Sequence, residues 1–366
     1  MMLKKKFMMK TAIVLLCMGT LIGCGNSAIE QNNTITPNES LSQSANTMTP
    51  TIVTEHKQEI TEETTEFVLS YPAHMEQFGY TESLVLEKEP KTIVTLSTYP
   101  VLTLFAMDVE LAAAPSTKVI TYPEDFSGIL LPSTMSDNFD LEVVVAQNPD
   151  LVIMPVTSAE QYGTALEELE IPVYYVAMTA SDIDVYTLIK EQTQALVDAF
   201  SINEEKKALG EAVLAKFAQS DANLENIKTL TDGKTVMSIT VSSETAIYMN
   251  SKTSTLGCML DLCGLENVYN PDTNSSMGHS MAQMDMEKSL EYNPDLLVIC
   301  GSSTLEDNKA LMDKIYANNP EYWDSYEAYK EGRVIYLSSA YVSTAGINII
   351  QNIASLIEEL ETIYAQ

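Results

Sequence analysis

The sequence predicts an α/β fold of two Rossmann-like lobes, whose mostly parallel sheets are joined by a single long helix. Three observations predict it. Short, apolar, β-rich runs alternate with helical patterns, one motif occurs once in each half, and a long helix-forming stretch separates the two copies. Strands that alternate with helices form parallel sheets that are covered on both faces.

In the first half, three runs read as buried strands: residues 92–96, 151–154 and 172–176. Helical patterns cover residues 141–147 and 164–169. The second half repeats this plan, with strands predicted at 235–241, 296–299 and 334–337 and helices at 255–263 and 346–363. Each run is short and rich in Val, Ile and Tyr, as buried strands are.

A motif of two parts recurs in the two halves. Asp140-Leu141-Glu142, five residues and then Asn148-Pro149-Asp150-Leu151 is repeated as Asp285-Met286-Glu287, five residues and then Asn293-Pro294-Asp295-Leu296. Each copy predicts a helix carrying a glutamate, then an Asn-Pro-Asp turn, then a buried strand. The repeat therefore predicts two lobes of one architecture.

Residues 182–230 are predicted to link the lobes. The stretch favours helix throughout, with a break near Ser201-Ile202, after which Asn203 can cap a second helix. A helix of about 25 residues is a rod of roughly 38 Å. The predicted organisation is thus an N-terminal lobe over 67–181, this link, and a C-terminal lobe over 231–366.

The first 66 residues differ from the rest. Four lysines, Lys4, Lys5, Lys6 and Lys10, precede an apolar run from Thr11 to Ile22, which predicts an export signal over residues 1–23. The segment Leu21-Ile22-Gly23-Cys24 resembles the bacterial lipoprotein signal, which implies cleavage before Cys24 and a lipid on its thiol; the alternative is a plain secretory signal. Residues 24–66 are polar and almost free of aromatics, which predicts a disordered tether.

Charge excludes two kinds of partner. Without the four lysines of residues 1–23, the chain has 16 basic and 51 acidic residues, a formal charge of −35. Such a surface repels nucleic acid and anionic lipid headgroups. Three cysteines, Cys258, Cys263 and Cys300, would remain after the signal and the lipid site. They lie in apolar stretches with no C-x-x-C spacing, so we expect them to be buried.

The residues available for catalysis are few. His56 lies in the predicted tether, which leaves His74 and His279 for acid–base chemistry. The sequence contains no Gly-x-Ser-x-Gly elbow, no phosphate-binding Walker loop and no His-Glu-x-x-His zinc motif. Carboxylates are plentiful, but no pair is distinguished by its spacing. We therefore expect a binding protein and not an enzyme.

Several segments together resemble the iron-chelate and cobalamin class of ABC importer binding proteins. They are the repeated motif, the signal, the long link, Lys91–Ser97, Tyr122-Pro123, Cys263–Val268 and Glu331–Leu337. The resemblance covers residues 88–364. It implies a fold like that of class III periplasmic binding proteins, which capture a small molecule between the lobes.

The resemblance also implies partners and site residues. It implies an extracytoplasmic monomer, at the cell surface or in the periplasm, that needs no cofactor and serves a permease dimer and its ATPase. Glu142 and Glu287 match the glutamates that dock on the permease. The ligand contacts it implies lie on loops between the lobes: Ser97, Thr98, Tyr99, Tyr122, Met135, Ser136, Ser243, Glu244, His279, Ser280 and Met281.

The ligand itself stays open at this point. A ferric chelate, either a siderophore or heme, is the first expectation. Met135 and Ser136 resemble a heme-binding branch of the family, and His279 is a candidate axial ligand. Cobalamin binders use tryptophans, but Trp323 lies outside the expected loops. A pocket rich in Met and Tyr with few charges would also suit a hydroxamate-type ferric siderophore or another large apolar chelate. The remaining alternatives are a bare zinc or manganese binder, a surface lipoprotein enzyme and an adhesive lipoprotein.

Overall fold

A computed structural model describes residues 66–271 and 280–365. The strands, in chain order, are β1 (Phe67–Leu69), β2 (Leu84–Leu86), β3 (Ile93–Thr95), β4 (Ala113–Pro115), β5 (Ile129–Leu131), β6 (Leu151–Pro155), β7 (Val173–Val176), β8 (Thr235–Ser243), β9 (Ala246–Asn250), β10 (Glu266–Asn267), β11 (Met281–Gln283), β12 (Leu296–Gly301) and β13 (Val334–Leu337). The α-helices are α1 (Val101–Ala106), α2 (Leu141–Val145), α3 (Thr164–Glu168), α4 (Val185–Phe200), α5 (Glu204–Thr231), α6 (Thr255–Leu262), α7 (Met286–Ser289), α8 (Leu305–Asn318), α9 (Pro320–Trp323), α10 (Glu327–Lys330) and α11 (Asn348–Tyr364).

The first lobe is built on a five-stranded parallel sheet in the order β5-β4-β3-β6-β7. Its first strand along the chain, β3, lies in the middle, and the chain then builds outward to each side. This is the strand order of a doubly wound fold, which the alternation of strands and helices predicted. An antiparallel ribbon of β1 and β2 precedes the sheet.

The second lobe has the order β11-β9-β8-β12-β13, with β10 also paired to β8. Strands β8, β12 and β13 are parallel, but β9 runs antiparallel to β8 and to β11. The sequence predicted the parallel strands and did not predict this hairpin. The prediction of two Rossmann-like lobes with mostly parallel sheets is confirmed.

Two helices link the lobes, and the break between them is where the sequence predicted it. Helix α4 ends at Phe200, and α5 begins after Asn203, whose side-chain oxygen accepts a hydrogen bond from the Lys206 amide at 2.8 Å. Lys206 also donates to the carbonyl of Met107 in the first lobe at 2.9 Å, while Thr231 donates to the carbonyl of Cys263 in the second lobe at 2.5 Å. The 28 residues of α5 thus connect the two lobes as one rod.

The two lobes share part of their core. Each sheet has one face in a cluster of its own, around Ile153 in the first lobe and Ile299 in the second. The opposite faces, which carry Val152 and Val298, belong to one continuous cluster that includes Phe217 of α5. Residues Glu62–Gln366 accordingly form one compact unit. Cys258, Cys263 and Cys300 are 3%, 0% and 0% exposed, as expected.

The repeated motif is a structural unit in both lobes. Asp140 and Asp285 cap α2 and α7 by accepting hydrogen bonds from the amides of Glu142 and Glu287. Asn148 and Asn293 follow with φ of 48° and 35°, a left-handed conformation that asparagine tolerates better than most residues. The turn then brings an aspartate next to the first strand of its sheet.

Those two aspartates, Asp150 and Asp295, tie strands together. Asp150 Oδ2 accepts hydrogen bonds from the amides of Lys91 and Thr92, both at 2.9 Å. Asp295 Oδ2 accepts from the amide and the hydroxyl of Thr235 at 2.8 and 2.9 Å. Hydrogen bonds from these backbone amides stabilise the charged carboxylate and lower the pKa of each aspartate.

Replacing Asp150 and Asp295 by asparagine is expected to flatten the acid dependence of stability. Because the folded pKa lies below the unfolded value of about 4, the carboxylates stabilise the protein above that pH and stop doing so as pH falls through the lowered pKa. Each change should cost about 1 kcal/mol at pH 7, since both groups are partly solvated, and less near pH 2. Urea unfolding at both pH values measures this; Asp261→Asn, at an exposed position on α6, is the control.

The last helix begins two residues later than predicted. Gly346 has a φ of +58°, which places it outside the helix, and α11 starts at Asn348. In the described residues, no helix combines the length and apolar character that crossing a bilayer requires. The predicted signal, the tether and Cys24 lie outside the described residues.

Candidate functional site

The candidate site lies at the carboxyl edges of the two sheets. In a doubly wound sheet, ligands bind where the strand order reverses, just beyond the carboxyl ends of the two central strands. In the first lobe these strands are β3 and β6, and in the second they are β8 and β12. The loops that follow β3 to β7 in the first lobe, and β8, β12 and β13 in the second, are called edge loops.

The edge loops of the two lobes meet. The segment after β13 reaches the first lobe, where Ala345 packs in that lobe's own core cluster. A Cβ atom at Gly346 would lie 2.0 Å from the carbonyl oxygen of Tyr99, after β3. The Asn348 side-chain amide donates from Nδ2 to the carbonyl of Val119, after β4, at 3.1 Å. The region where the segment after β13 meets the loops after β3 and β4 is called the junction.

The loop after β3 contains three of the predicted ligand contacts, and two of them are buried. Ser97 is 2% exposed and Tyr99 is 8% exposed. Ser97 Oγ donates to the Met178 sulfur at 3.4 Å, and the Tyr99 hydroxyl donates to the Met178 carbonyl at 3.2 Å. Burial raises the pKa of Tyr99 to about 12. These two side chains hold the loop in place, and Thr98 between them is partly exposed.

The predicted contacts after β4 and β5 are more accessible. Tyr122 is partly exposed and stacks on Phe126 at a centroid distance of 5.1 Å, while its hydroxyl donates to the Pro115 carbonyl. Met135 is 90% exposed, and Ser136 is partly exposed and accepts from the Asn138 amide at 3.3 Å. An aromatic face, a thioether and a hydroxyl are therefore accessible on the loops after β4 and β5.

In the second lobe, Ser243 and Glu244 lie at the tip of the β8–β9 hairpin, on the carboxyl edge. Ser243 Oγ accepts from the amides of Thr245 and Ala246, at 3.4 and 3.1 Å, so this serine stabilises the turn. Glu244 is exposed and accepts from the Asn318 side chain at 3.1 Å. Their position is compatible with a ligand contact, and their hydrogen bonds serve the local fold.

Ser280 and Met281 are not brought to the same edge. Met281 pairs with Asn250, and Ser243 pairs with Ala246, so four residues of β9 separate them, about 13 Å. The Ser280 carbonyl accepts from the Ser251 amide at 2.8 Å. Met281 is 37% exposed. His279 lies outside the described residues.

Glu142 and Glu287 occupy equivalent places in the two lobes. Each lies in the first turn of its helix and is exposed, and its carboxylate has no hydrogen bond or ion pair within the described residues. Helix α2 follows the loop after β5. Helix α7 follows Met284, whose amide binds the Ile247 carbonyl beside the end of β8. Both helices therefore start at the carboxyl edge of their sheet.

Two conspicuous residues are structural. Arg333 donates from Nε to the Asp295 carbonyl at 2.7 Å and forms an ion pair with Glu331. Trp323 is 0% exposed and packs in the core of the second lobe. Neither is free to contact a ligand at the junction.

Sequence reasoning missed residues 338–348, which carry the contacts of the second lobe at the junction. It also missed Thr134 and Ser158, whose hydroxyls are 2.8 Å apart and join the loops after β5 and β6. Two signals were present in the sequence: a predicted strand ends at Leu337, and a glycine precedes the last helix.

A surface cavity of about 520 Å³ lies elsewhere, between α4 and α5. Tyr186, Lys190 and Asp221 line it, and Asp221 binds both of the other two side chains, at 2.7 and 2.6 Å. None of the predicted ligand contacts lines this cavity. Within 66–271 and 280–365, no group of three or more His, Cys, Asp or Glu side chains is placed to hold a metal ion.

Two α/β lobes with facing edge loops and a continuous linking helix define a solute-binding protein. The model for the family described as "Periplasmic binding protein" matches residues 93–341, and this chain belongs to that family. Members are extracytoplasmic binding components of ABC importers and are not enzymes. No curated protein matches the sequence.

Solved structures share the fold at low identity. The petrobactin-binding protein YclQ from Bacillus subtilis is 19% identical, with a TM-score of 0.60, covering 81% of this chain and 99% of its own. The iron-uptake protein PiuA from Streptococcus pneumoniae is 21% identical, with a TM-score of 0.58 and coverage of 76% and 95%. The catecholate-siderophore binding protein VctP from Vibrio cholerae is 17% identical, with a TM-score of 0.57 and coverage of 76% and 96%.

Proposed function

We propose that this protein captures a ferric chelate, a siderophore or heme, at the junction and delivers it to a permease dimer with its ATPase. The observation that carries the proposal is the meeting of edge loops from both lobes, the segment after β13 with the loops after β3 and β4, at the sheet edges where ligands bind in such folds. The ligands named for similar structures support the chelate class.

The test is to identify what the protein carries. Protein purified from iron-limited and from heme-supplemented cells should show a siderophore charge-transfer band or a Soret band, with a matching mass in native mass spectrometry. Protein that is colourless from both cultures and binds no added ferric chelate in calorimetry would refute the proposal.

Ligand contacts are proposed for the accessible residues of the edge loops. Thr98, Tyr122, Met135 and Ser136 offer hydroxyls, a thioether and an aromatic face on the edge loops of the first lobe. Ser97 and Tyr99 act by positioning the loop that carries Thr98. Ser243 and Glu244 are the proposed contacts from the second lobe, while Ser280, Met281 and His279 stay predictions from the family resemblance.

The two exposed glutamates are proposed to dock on the permease. Glu142 and Glu287 have no hydrogen bond or ion pair through their carboxylates within the described residues. One lies on each lobe, at the carboxyl edge of its sheet. A pair of carboxylates on rigid helix starts suits a permease dimer that presents one basic pocket per subunit.

Lipid anchoring is proposed at Cys24, with residues 24–66 as the tether. Cells fed a labelled fatty acid are expected to label the wild-type protein and not Cys24→Ser, because serine lacks the thiol that would carry the lipid. The Cys17→Ser variant is the control and should label like wild type. Equal labelling of Cys24→Ser would contradict the anchor.

Among the alternatives, none gains support from the structure. Cobalamin capture through tryptophan has no side chain to use, since Trp323 is buried in the second lobe. Bare zinc or manganese capture lacks a ligand cluster in the part of the chain that is described. Heme capture by His279 depends on a residue outside the described residues.

A further inference from the structure

The edge loops carry far more negative than positive charge. In the first lobe they comprise residues 96–100, 116–128, 132–140, 156–163 and 177–184, and in the second 244–245, 302–304 and 338–347. Lys118 is their single basic residue. Their carboxylates are Glu124, Asp125, Asp137, Asp140, Glu160, Asp182, Asp184 and Glu244.

These carboxylates have no cationic partner within the described residues. None of them forms an ion pair within the described residues, although some accept hydrogen bonds. Asp184 caps α4 by accepting from the Thr187 amide at 2.9 Å, and Asp140 caps α2. A hydrogen bond from a neutral amide leaves the net charge of the pair at minus one.

Four cations from other parts of the chain are engaged away from these loops. Arg333 donates to the Asp295 carbonyl and pairs with Glu331 where β12 and β13 begin, and Lys206 donates to the Met107 carbonyl at the end of α1. Lys190 and Lys228 are paired with Asp221 and Glu225 along the helices of the link. Residues 272–279 contain no lysine or arginine in their sequence.

The uncharged side chains of the first lobe's edge loops suit a ligand without negative charge. Met135 is 90% exposed, and the stacked pair of Tyr122 and Phe126 presents aromatic faces. Thr98 and Ser136 add hydroxyls that can donate to chelate oxygens without neutralising charge. An anionic ligand would need guanidinium or ammonium donors, which the edge loops lack apart from Lys118.

We propose that the junction selects ferric chelates with a net charge of zero or above, of the trihydroxamate type, over anionic chelates. The inference rests on the proposed function and narrows its ligand class. Three hydroxamates balance the charge of ferric iron, and a pendant ammonium makes the chelate cationic. Three catecholates leave a charge of minus three, and heme carries two propionates, so both are repelled by the carboxylates of the edge loops.

The affinities of four probes, measured by calorimetry, test the selection. The probes are a neutral ferric trihydroxamate, a cationic linear ferric trihydroxamate, a ferric tris-catecholate and heme. The hydroxamates are expected to bind at least ~100-fold more tightly than the tris-catecholate at low salt. Raising the salt concentration should weaken binding of the cationic probe, strengthen binding of the anionic probes and leave binding of the neutral probe unchanged. Tighter binding of the tris-catecholate or heme overturns the charge selection and leaves the proposed function intact. Failure to bind any ferric chelate overturns the proposed function itself.

Reversing the charge of two edge-loop carboxylates tests whether these loops cause the discrimination between probes. Glu124 and Asp125 are exposed on the loop after β4, and Glu124→Lys with Asp125→Lys should reduce the discrimination at least ~10-fold. The control is Glu211→Lys with Glu361→Lys, on the exposed faces of α5 and α11, which changes the net charge equally. Equal effects of both pairs, or no effect of the loop pair, would show that the edge loops do not set the selection.

Discussion

Uptake of the ligand is expected to fall at least ~10-fold when Glu142 and Glu287 are both replaced by alanine, while ligand affinity stays unchanged. Both carboxylates are exposed and free of intramolecular partners within the described residues, so the protein itself loses no contact. Uptake falls because the variant loses the charge-assisted contacts with the permease, which are made by one glutamate on each lobe.

The measurement is uptake of labelled ferric chelate by cells that express the variant, beside calorimetry on the purified protein. Exposed substitutions of this kind change the free energy of unfolding by less than about 0.5 kcal/mol, so expression should match wild type. The control is Glu205→Ala with Glu306→Ala, two exposed first-turn glutamates on α5 and α8. Normal uptake by the variant that lacks both Glu142 and Glu287 would show that neither residue docks on the permease.

Gly346→Ala is expected to destabilise the protein by about 3 kcal/mol or more and to weaken ligand binding. A side chain at this position must adopt a positive φ, which costs about 1–2 kcal/mol. Its Cβ would also lie 2.0 Å from the Tyr99 carbonyl oxygen and 2.9 Å from the carbonyl carbon, so one of the two backbones must move. The loop that moves carries Thr98, and the junction changes shape with it.

Gly332→Ala separates the two costs. Gly332 has a φ of +71°, but a Cβ there would have no atom within 4 Å. Alanine at this position therefore introduces backbone strain without a steric clash. Urea unfolding should show Gly332→Ala losing about 1–2 kcal/mol, with ligand affinity retained. If the two variants lose equal stability and bind equally, the contact between Gly346 and Tyr99 does not hold the lobes together.

Local patterns made most of the fold predictable. The apolar strand runs, the cap at Asn203 and the repeated motif depend on interactions over a few residues, which a linear sequence displays. The motif also contains the two aspartates that join neighbouring strands, since Asp150 and Asp295 are its last polar residues. The β8–β9 hairpin was missed because a long β-rich run ending in Ser243-Glu244-Thr245 gave no strong turn signal of Asn-Gly type.

The candidate site was predictable only in part. Position after a strand correctly indicated that Ser97–Tyr99, Tyr122 and Met135-Ser136 belong to the edge loops of the first lobe. It could not indicate that the Ser97 and Tyr99 side chains turn inward to Met178, since that depends on where β7 ends. Nor could it indicate that Ser280 and Met281 lie at the other end of β9, which the strand register decides.

By itself the sequence determined the two-lobed α/β architecture, the linking helix, the acidic surface and the paired glutamates, because periodicity, capping and composition act locally. Only the tertiary structure decided which loops meet. The contact between Asn348 and Val119 joins residues 229 positions apart, and Gly346 meets Tyr99 across the same gap between lobes. Such contacts follow from how the sheets and α5 pack together, and no pattern of neighbouring residues encodes them.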